Sequence, residues 1–278
     1  MQHATVVCSR IAPYIRLGAR TSTMPRETSK DIESVFRSTA THKAKASAAR
    51  RAGTSDTSES PREVYLASCA RIGAALSPEG FKYVRSAQRC RREVAAFTQQ
   101  VSFQSSHYNV AGLHVRLWMH ATVSSKQLQA WRLAHGYSVP ASAHVAGGMV
   151  HRLSGTKAMV EWELAEPSDR ERTIEDAIAF IRTDVLPYFE QFERPSELTE
   201  KLAESEVGAF DLAPSIEFAL CFGGAARAQA VLDRFMRERT DLKEVIALAE
   251  AEGRPKPTHV PANYAETVAF VRRNYGLN

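Results

Sequence analysis

The stretch from Val94 to His120 limits the fold more than any other. Phe97, Val101 and Phe103 fall on odd positions, with Gln99 among them, while Thr98, Gln100, Ser102 and Gln104 fall on even ones. A period of two marks a strand with one buried and one wet face. The polar run Ser105-Ser106-His107-Tyr108-Asn109 supplies turn chemistry. A return strand follows. Ala111, Leu113, Val115, Leu117 and Met119 form its apolar set, and Gly112, His114, Arg116, Trp118 and His120 form the other. Two strands alone are marginal in water, so more sheet or a helix has to cover the apolar face.

The second face of the return strand carries the candidate binding residues. His114, Arg116, Trp118 and His120 project from one side, about 7 Å between successive members on the strand rise. Such a row suits an anion, a base or a partner protein. The plainer alternative is a solvated sheet face with a helix end leaning on Trp118.

The 278 residues fit one large domain or two small ones. A hydrophobic share of 44% supports a core. No run of about 18 apolar residues occurs, so no membrane span is expected. Cys8, Cys69, Cys90 and Cys221 make no CxxC pair, which argues against a zinc ribbon and for the reduced thiols of a cytoplasmic protein. The net charge of +5 is uneven: residues 1–60 hold ten Lys plus Arg against five Asp plus Glu, and residues 61–278 hold 26 of each. The basic pI therefore belongs to the tail, which weakens a nucleic-acid reading of the folded body.

From Thr21 to Pro61 the chain is rich in Ser, Thr, Ala, Arg and Lys and has few large apolar residues. Such a segment buries too little surface to offset its ordering entropy. Residues 1–60 are expected to be a disordered basic extension. Arg10 and Arg16 interrupt the apolar content of Val6–Leu17, so it is no secretory signal. Other readings of the extension are an organelle transit peptide, a true start at Met24 or later, and a nucleic-acid arm using Arg37, Lys43, Lys45, Arg50 and Arg51.

Ser60-Pro61-Arg62-Glu63 is a capping-box start for a helix to about Leu76. Phe81–Val84 begins an extended segment. A basic run follows (Arg85, Arg89, Arg91, Arg92) that reads as an anion patch or a solvated edge. Lys126–His135 predicts a short helix and Gly136–Gly148 a loop. Met149–Leu153 and Lys157–Leu164 predict a second hairpin, with Glu161 and Glu163 facing solvent. Helices are then expected from Thr173, with a break at Pro187 and a core cluster of Tyr188, Phe189 and Phe192; at Glu197–Glu204; at Pro214–Phe222; at Ala225–Arg239 and Asp241–Glu252 as an antiparallel pair; and at Pro261–Tyr275 with Gly276 as cap. Helix, then strands, then helices points to an α+β fold: a four- to five-stranded antiparallel sheet packed against helices at about 61–76 and 173–190, with an α-helical C-terminal extension. The expected division is 1–60 extension, 61–204 α+β domain, and 205–278 helical extension packed on it.

At Gly80-Phe81, at Val101-Ser102-Phe103-Gln104 and at Asp184-Val185-Leu186-Pro187-Tyr188-Phe189 the chain resembles a bacterial family, domain of unknown function family 4304. The likeness covers roughly residues 63–204. It implies a helix, a "GF" step, a strand ending in "FQ", a return strand and a later "LP-aromatic" helix. It implies no activity and no catalytic residue. Ala111-Gly112-Leu113-His114 departs from the polar, Asn-containing return strand of many members.

No P-loop, Rossmann fingerprint, Gly-x-Ser-x-Gly elbow or HExxH appears. Six of nine histidines lie between 107 and 151, but His114 and His120 stand about 20 Å apart along a strand, too far for one ion. No metal or cofactor is expected. Cys69 and Cys90 read as buried structural thiols. The expected function is binding of another macromolecule, a protein in preference to a nucleic acid, through the exposed sheet face. Nucleic-acid binding by the basic arm and an enzyme with a pocket under the sheet are the alternatives, and no membrane role is expected.

Overall fold

The computed structural model describes residues 59–135, 142–153, 159–251 and 264–278. The chain divides into two units, Met1–Ser55 and Asp56–Asn278, and every described residue lies in the second. The arm residues Arg37, Lys43, Lys45, Arg50 and Arg51 lie outside the described residues, as do Cys8 and the Ser154-Gly155-Thr156 turn.

Helix α1 spans Pro61–Ala75. Ser60 caps it: its Oγ accepts from the Glu63 N–H, and the Glu63 side chain accepts in return from the Ser60 N–H, which is the capping box the sequence predicts. The helix buries Val64, Tyr65, Ser68, Cys69, Ile72 and Gly73, with Leu76 beyond its end. Gly73 is required by packing, because a Cβ there would lie 2.7 Å from Cβ of Tyr83.

Six strands follow: β1 Lys82–Val84, β2 Arg89–Val94, β3 Phe97–Ser105, β4 Arg116–Ser125, β5 His144–Met149 and β6 Trp162–Glu163. They form one antiparallel sheet in the order β1-β2-β3-β4-β5, with β6 also paired to β4. The central pair runs from Phe97 opposite Ser125 to Ser105 opposite Leu117. Phe97, Gln99, Val101 and Phe103 are buried on β3, and Leu117, Met119, Ala121, Val123 and Ser125 on β4, so the period of two holds along both strands.

The return strand is shifted from its expected place. It begins at Arg116, not Ala111, because an isolated Val110–His114 bridge closes a tight turn around Gly112. Leu113 is exposed as a result. The strand then continues to Ser125, where the sequence after His120 predicts a polar linker. Among the described residues the expected second hairpin is not seen, and Val150–Arg152 is a single 3-10 turn. Gly147-Gly148 lies inside β5, and β5 and β6 each pair with β4, β6 at Arg116–Leu117 and β5 at His120–Ser124. The sheet has six strands where four or five were expected.

Helix α2 is Lys126–Ala134, capped by Ser125. Helix α3 is Pro167–Phe180 and starts a turn and a half before the expected Thr173, with Glu166 as its cap. A single wide π turn, Ile181–Val185, joins it to α4, Leu186–Glu193. Pro187 therefore does not break the helix. In a regular α-helix its ring would clash with the Thr183 carbonyl. Here the Leu186 N–H donates to the Ile181 carbonyl five residues back, and the wider turn makes room.

Helices α5 (Pro195–Glu204), α6 (Leu212–Gly223), α7 (Ala225–Glu238), α8 (Lys243–Ala251) and α9 (Tyr264–Tyr275) complete the described chain. The expected pairing of the two segments after Ala225 is replaced. Helix α7 packs on α5 and α6, while α8 packs on α9, tied by Arg272–Glu250 at 2.9 Å.

The helices meet the sheet through its inner residues. Phe81 packs on Phe189, Trp162 on Phe180, and Phe97 on Phe192, Phe218 and Phe222. Tyr188, Phe189 and Phe192 are core, as their spacing predicts. Each fully buried side chain of this size contributes roughly 1.5–3 kcal/mol. The motif residues have plain structural tasks. Gly80 takes a left-handed conformation (φ 83°) so that Phe81 can turn into the core, and Leu186-Pro187 follows the wide turn. The fold is α+β, an antiparallel sheet with its helices on one face.

Two buried polar ties hold these layers. Gln99 is fully buried; its amide donates to the Phe189 carbonyl at 3.0 Å and its oxygen accepts from Arg92 Nε at 2.6 Å. Arg92 lies over the Phe81 ring and also donates to the Glu79 carbonyl, so this member of the basic run turns inward. Arg132 of α2 donates to Glu217 of α6 at 2.7 Å and to the Ser142 and His144 carbonyls at 2.6 Å each. The Tyr275 hydroxyl donates to the other Glu217 oxygen at 3.2 Å.

Candidate functional site

The face of the sheet opposite the helices carries Thr98, Gln100, Ser102 and Gln104 on β3 and Arg116, Trp118, His120, Thr122 and Ser124 on β4. None of them is buried. Period two explains the set, since each is the neighbour of a core residue. Arg116, Trp118 and His120 thus stand in one row on one strand, as the sequence predicts. His114 lies in the turn just before β4 and joins the row through a different contact.

The row does not stand alone. Glu161 and Glu163 come up beside it, because β6 pairs Glu163 with Arg116. The Trp118 indole N–H donates to Glu161 Oε2 at 3.1 Å. Arg116 lies 3.6 Å from Glu161 and 3.7 Å from Glu163, and His114 Nδ1 is 3.3 Å from Glu163 Oε2. The second Glu163 oxygen accepts from the backbone N–H groups of Val115 (2.6 Å) and Ala165 (3.0 Å). These pairs are each about 40% exposed, so each is worth at most about 1 kcal/mol. Their effect is to hold Trp118 and Arg116 in fixed positions on an open surface. The sequence alone places Glu161 and Glu163 in solvent and does not link them to the row. They are some 45 positions away, and only the β4–β6 pairing brings them there.

At the other end of the row His120 Nε2 lies 2.9 Å from Gln104 Oε1. Partial burial, with His151 nearby, pushes the His120 pKa below its ordinary 6.5, which favours the neutral ring. The row therefore offers an aromatic ring and one guanidinium already balanced by carboxylates. That composition suits a mixed polar surface better than a lone phosphate.

Burial pushes the Cys69 and Cys90 thiols up to about 12, which keeps both protonated and inert. Among the described residues no group of three His, Cys, Asp or Glu is placed to hold a metal ion. His107, His135, His144 and His151 are not gathered with His114 and His120 into such a set. A cavity of about 390 Å³ lies between the turn at Arg152, residues 206–211, helices α5, α6 and α7, and Tyr264 at the start of α9. It is lined by Arg152, Glu206, Asp211, Arg234 and Phe235 among others. The Ser215 hydroxyl on its wall donates to the Leu212 carbonyl at 2.7 Å. Among the described residues no helix is long and apolar enough to cross a membrane.

Comparison with curated proteins and with solved structures gives no match. Residues 72–191, which run from α1 through the sheet into α4, match the model of the family described as domain of unknown function DUF4304, the family that the Gly80-Phe81 and Leu186-Pro187 motifs resemble.

Proposed function

We propose that this chain is a non-catalytic interaction domain whose open sheet face recognises another protein. The observation that carries the reading is the fixed pair at the centre of that face. Trp118 and Arg116 stand side by side on β4, partly exposed and braced by Glu161 and Glu163. Trp and Arg are the residue types that most often anchor interfaces, and a side chain held in place before binding loses less entropy on docking. The three described cysteines are free, which suits a reducing cytoplasm.

The test is affinity capture from the native host with the full-length protein and with the Trp118→Ala/Arg116→Ala double variant. The expected result is a captured protein whose recovery falls about tenfold or more in the variant, while the thermal midpoint stays near wild type. The same proteins at the same recovery from both would overturn the reading. Nucleic acid recovered by both, and lost on deleting residues 1–58, would shift the function to the basic arm.

A further inference from the structure

The β1–β2 end of the same outer face carries a feature the Trp118 row does not use. Lys82 stands directly opposite Arg91 across the β1–β2 pair. Arg89 sits two residues along β2 on the same face, opposite Ser102. Like charges directly opposite each other destabilise a sheet. Arg91 is offset by Glu93 at 2.6 Å. Arg89 is not offset: its Nε is shut off from solvent and makes no hydrogen bond. Ser102 already accepts from Gln100 at 2.7 Å, and Val84, opposite Arg89 on β1, offers nothing polar. An unsatisfied donor and a like-charge pair thus sit within two residues of each other. A bound carboxylate offsets the like charges of Lys82, Arg89 and Arg91.

We propose that Lys82, Arg89 and Arg91 form a carboxylate-binding site for an acidic peptide segment that lies across the outer face. The proposal rests on the reading of this face as a protein-interaction surface and names the chemistry of the partner. The anion it takes is short. Glu93 flanks the cluster on β2, and Glu161 and Glu163 stand beyond β4, so a nucleic-acid strand crossing the face would set phosphates against carboxylates at both ends. An acidic side chain set among uncharged residues meets no such repulsion. Between the two charged ends, Gln100, Ser102, Gln104 and Thr122 present amides and hydroxyls that match a peptide backbone.

The experiment titrates the full-length protein into a fluorescein-labelled peptide of alternating Glu and Ala, and into a labelled oligothymidine of equal length, read by anisotropy. Arg89→Gln and Lys82→Gln are compared with wild type. The expected result is that the peptide binds, that Arg89→Gln weakens it about tenfold and Lys82→Gln less, and that the oligothymidine binds more weakly than the peptide. Because Arg89 Nε makes no hydrogen bond among the described residues, Arg89→Gln should melt at the wild-type temperature or above it. Absence of peptide binding, equal binding by Arg89→Gln, or tighter oligothymidine binding that depends on Arg89 would each overturn the proposal. If the peptide fails while Trp118→Ala/Arg116→Ala still loses a captured protein, the interaction reading stands and the acidic partner falls.

Discussion

Replacing Glu217 by Ala tests the junction between the helices and the sheet. The Glu217 side chain is 1% exposed and that of Arg132 is 5% exposed. Burial pushes the Glu217 pKa up, while Arg132 and then Tyr275 pull it back. Removing one member of a buried ion pair costs about 3–5 kcal/mol, because the other charge stays buried. Two local details set the expectation at the lower end. Arg132 keeps the Ser142 and His144 carbonyls as acceptors, so its guanidinium is not orphaned. Tyr275 loses one hydrogen bond, worth about 1 kcal/mol. The expected loss for Glu217→Ala is therefore about 3 kcal/mol, read by urea unfolding. Tryptophan fluorescence suits the assay, since Trp131 stacks on His135 at 4.0 Å and lies 5.4 Å from the Tyr275 ring. A double variant, Arg132→Met with Glu217→Leu, removes both charges and should recover most of the loss. A Glu217→Ala protein within about 0.5 kcal/mol of wild type, or a double variant less stable than Glu217→Ala, would refute the view of this pair as a mutually dependent tie.

Gly147→Ala should destabilise by more than about 2 kcal/mol and free the β5 amides to hydrogen exchange, since φ there is +127° and the new Cβ would lie 2.2 Å from the Ala121 carbonyl oxygen; unchanged protection of β5 would count against the register. His120 has a depressed folded-state pKa, so its contribution is present above pH 6.5 and is lost as pH falls through the lower folded value. The thermal midpoint should therefore drop between pH 7 and pH 5 in wild type, and by less in His120→Gln; equal slopes would contradict the assignment.

The parts of the fold that were legible in the sequence are those set by local periodicity. Phe97 to Gln104 and Val115 to Met119 alternate cleanly, and the Ser60 capping box states where α1 begins. What was hidden depended on contacts far along the chain. Gly147 reads as a loop residue, yet its missing Cβ is what lets β5 approach β4, and glycine in a strand often marks such a close approach. The segment after His120 reads as a polar linker, although Ala121, Val123 and Ser125 keep the phase of Leu117 and Met119. The candidate row was readable from phase alone. Its carboxylate braces were not, because nothing local ties Glu161 to Trp118. Arg92 and Gln99 could have been found, since both occupy inward phases of their strands. A polar residue on an inward phase signals a buried hydrogen bond, as Arg92 and Gln99 in fact make.

The wide turn at Ile181–Val185 does more than spare Pro187. A π turn inserts about one extra residue, and one residue is about 100° of helix rotation. The side chains of α3 and α4 are therefore out of phase with each other. The first half aims Ile174 and Ala177 at its side of the core. The second half is re-clocked so that Phe189 and Phe192 meet Phe81 and Phe97. Deleting one residue from the turn would leave the composition and the helical content almost unchanged. It would nevertheless swing the aromatic face off the sheet and carry the Phe189 carbonyl away from Gln99. The length of that segment is thus as much a part of the fold's specification as the residues within it.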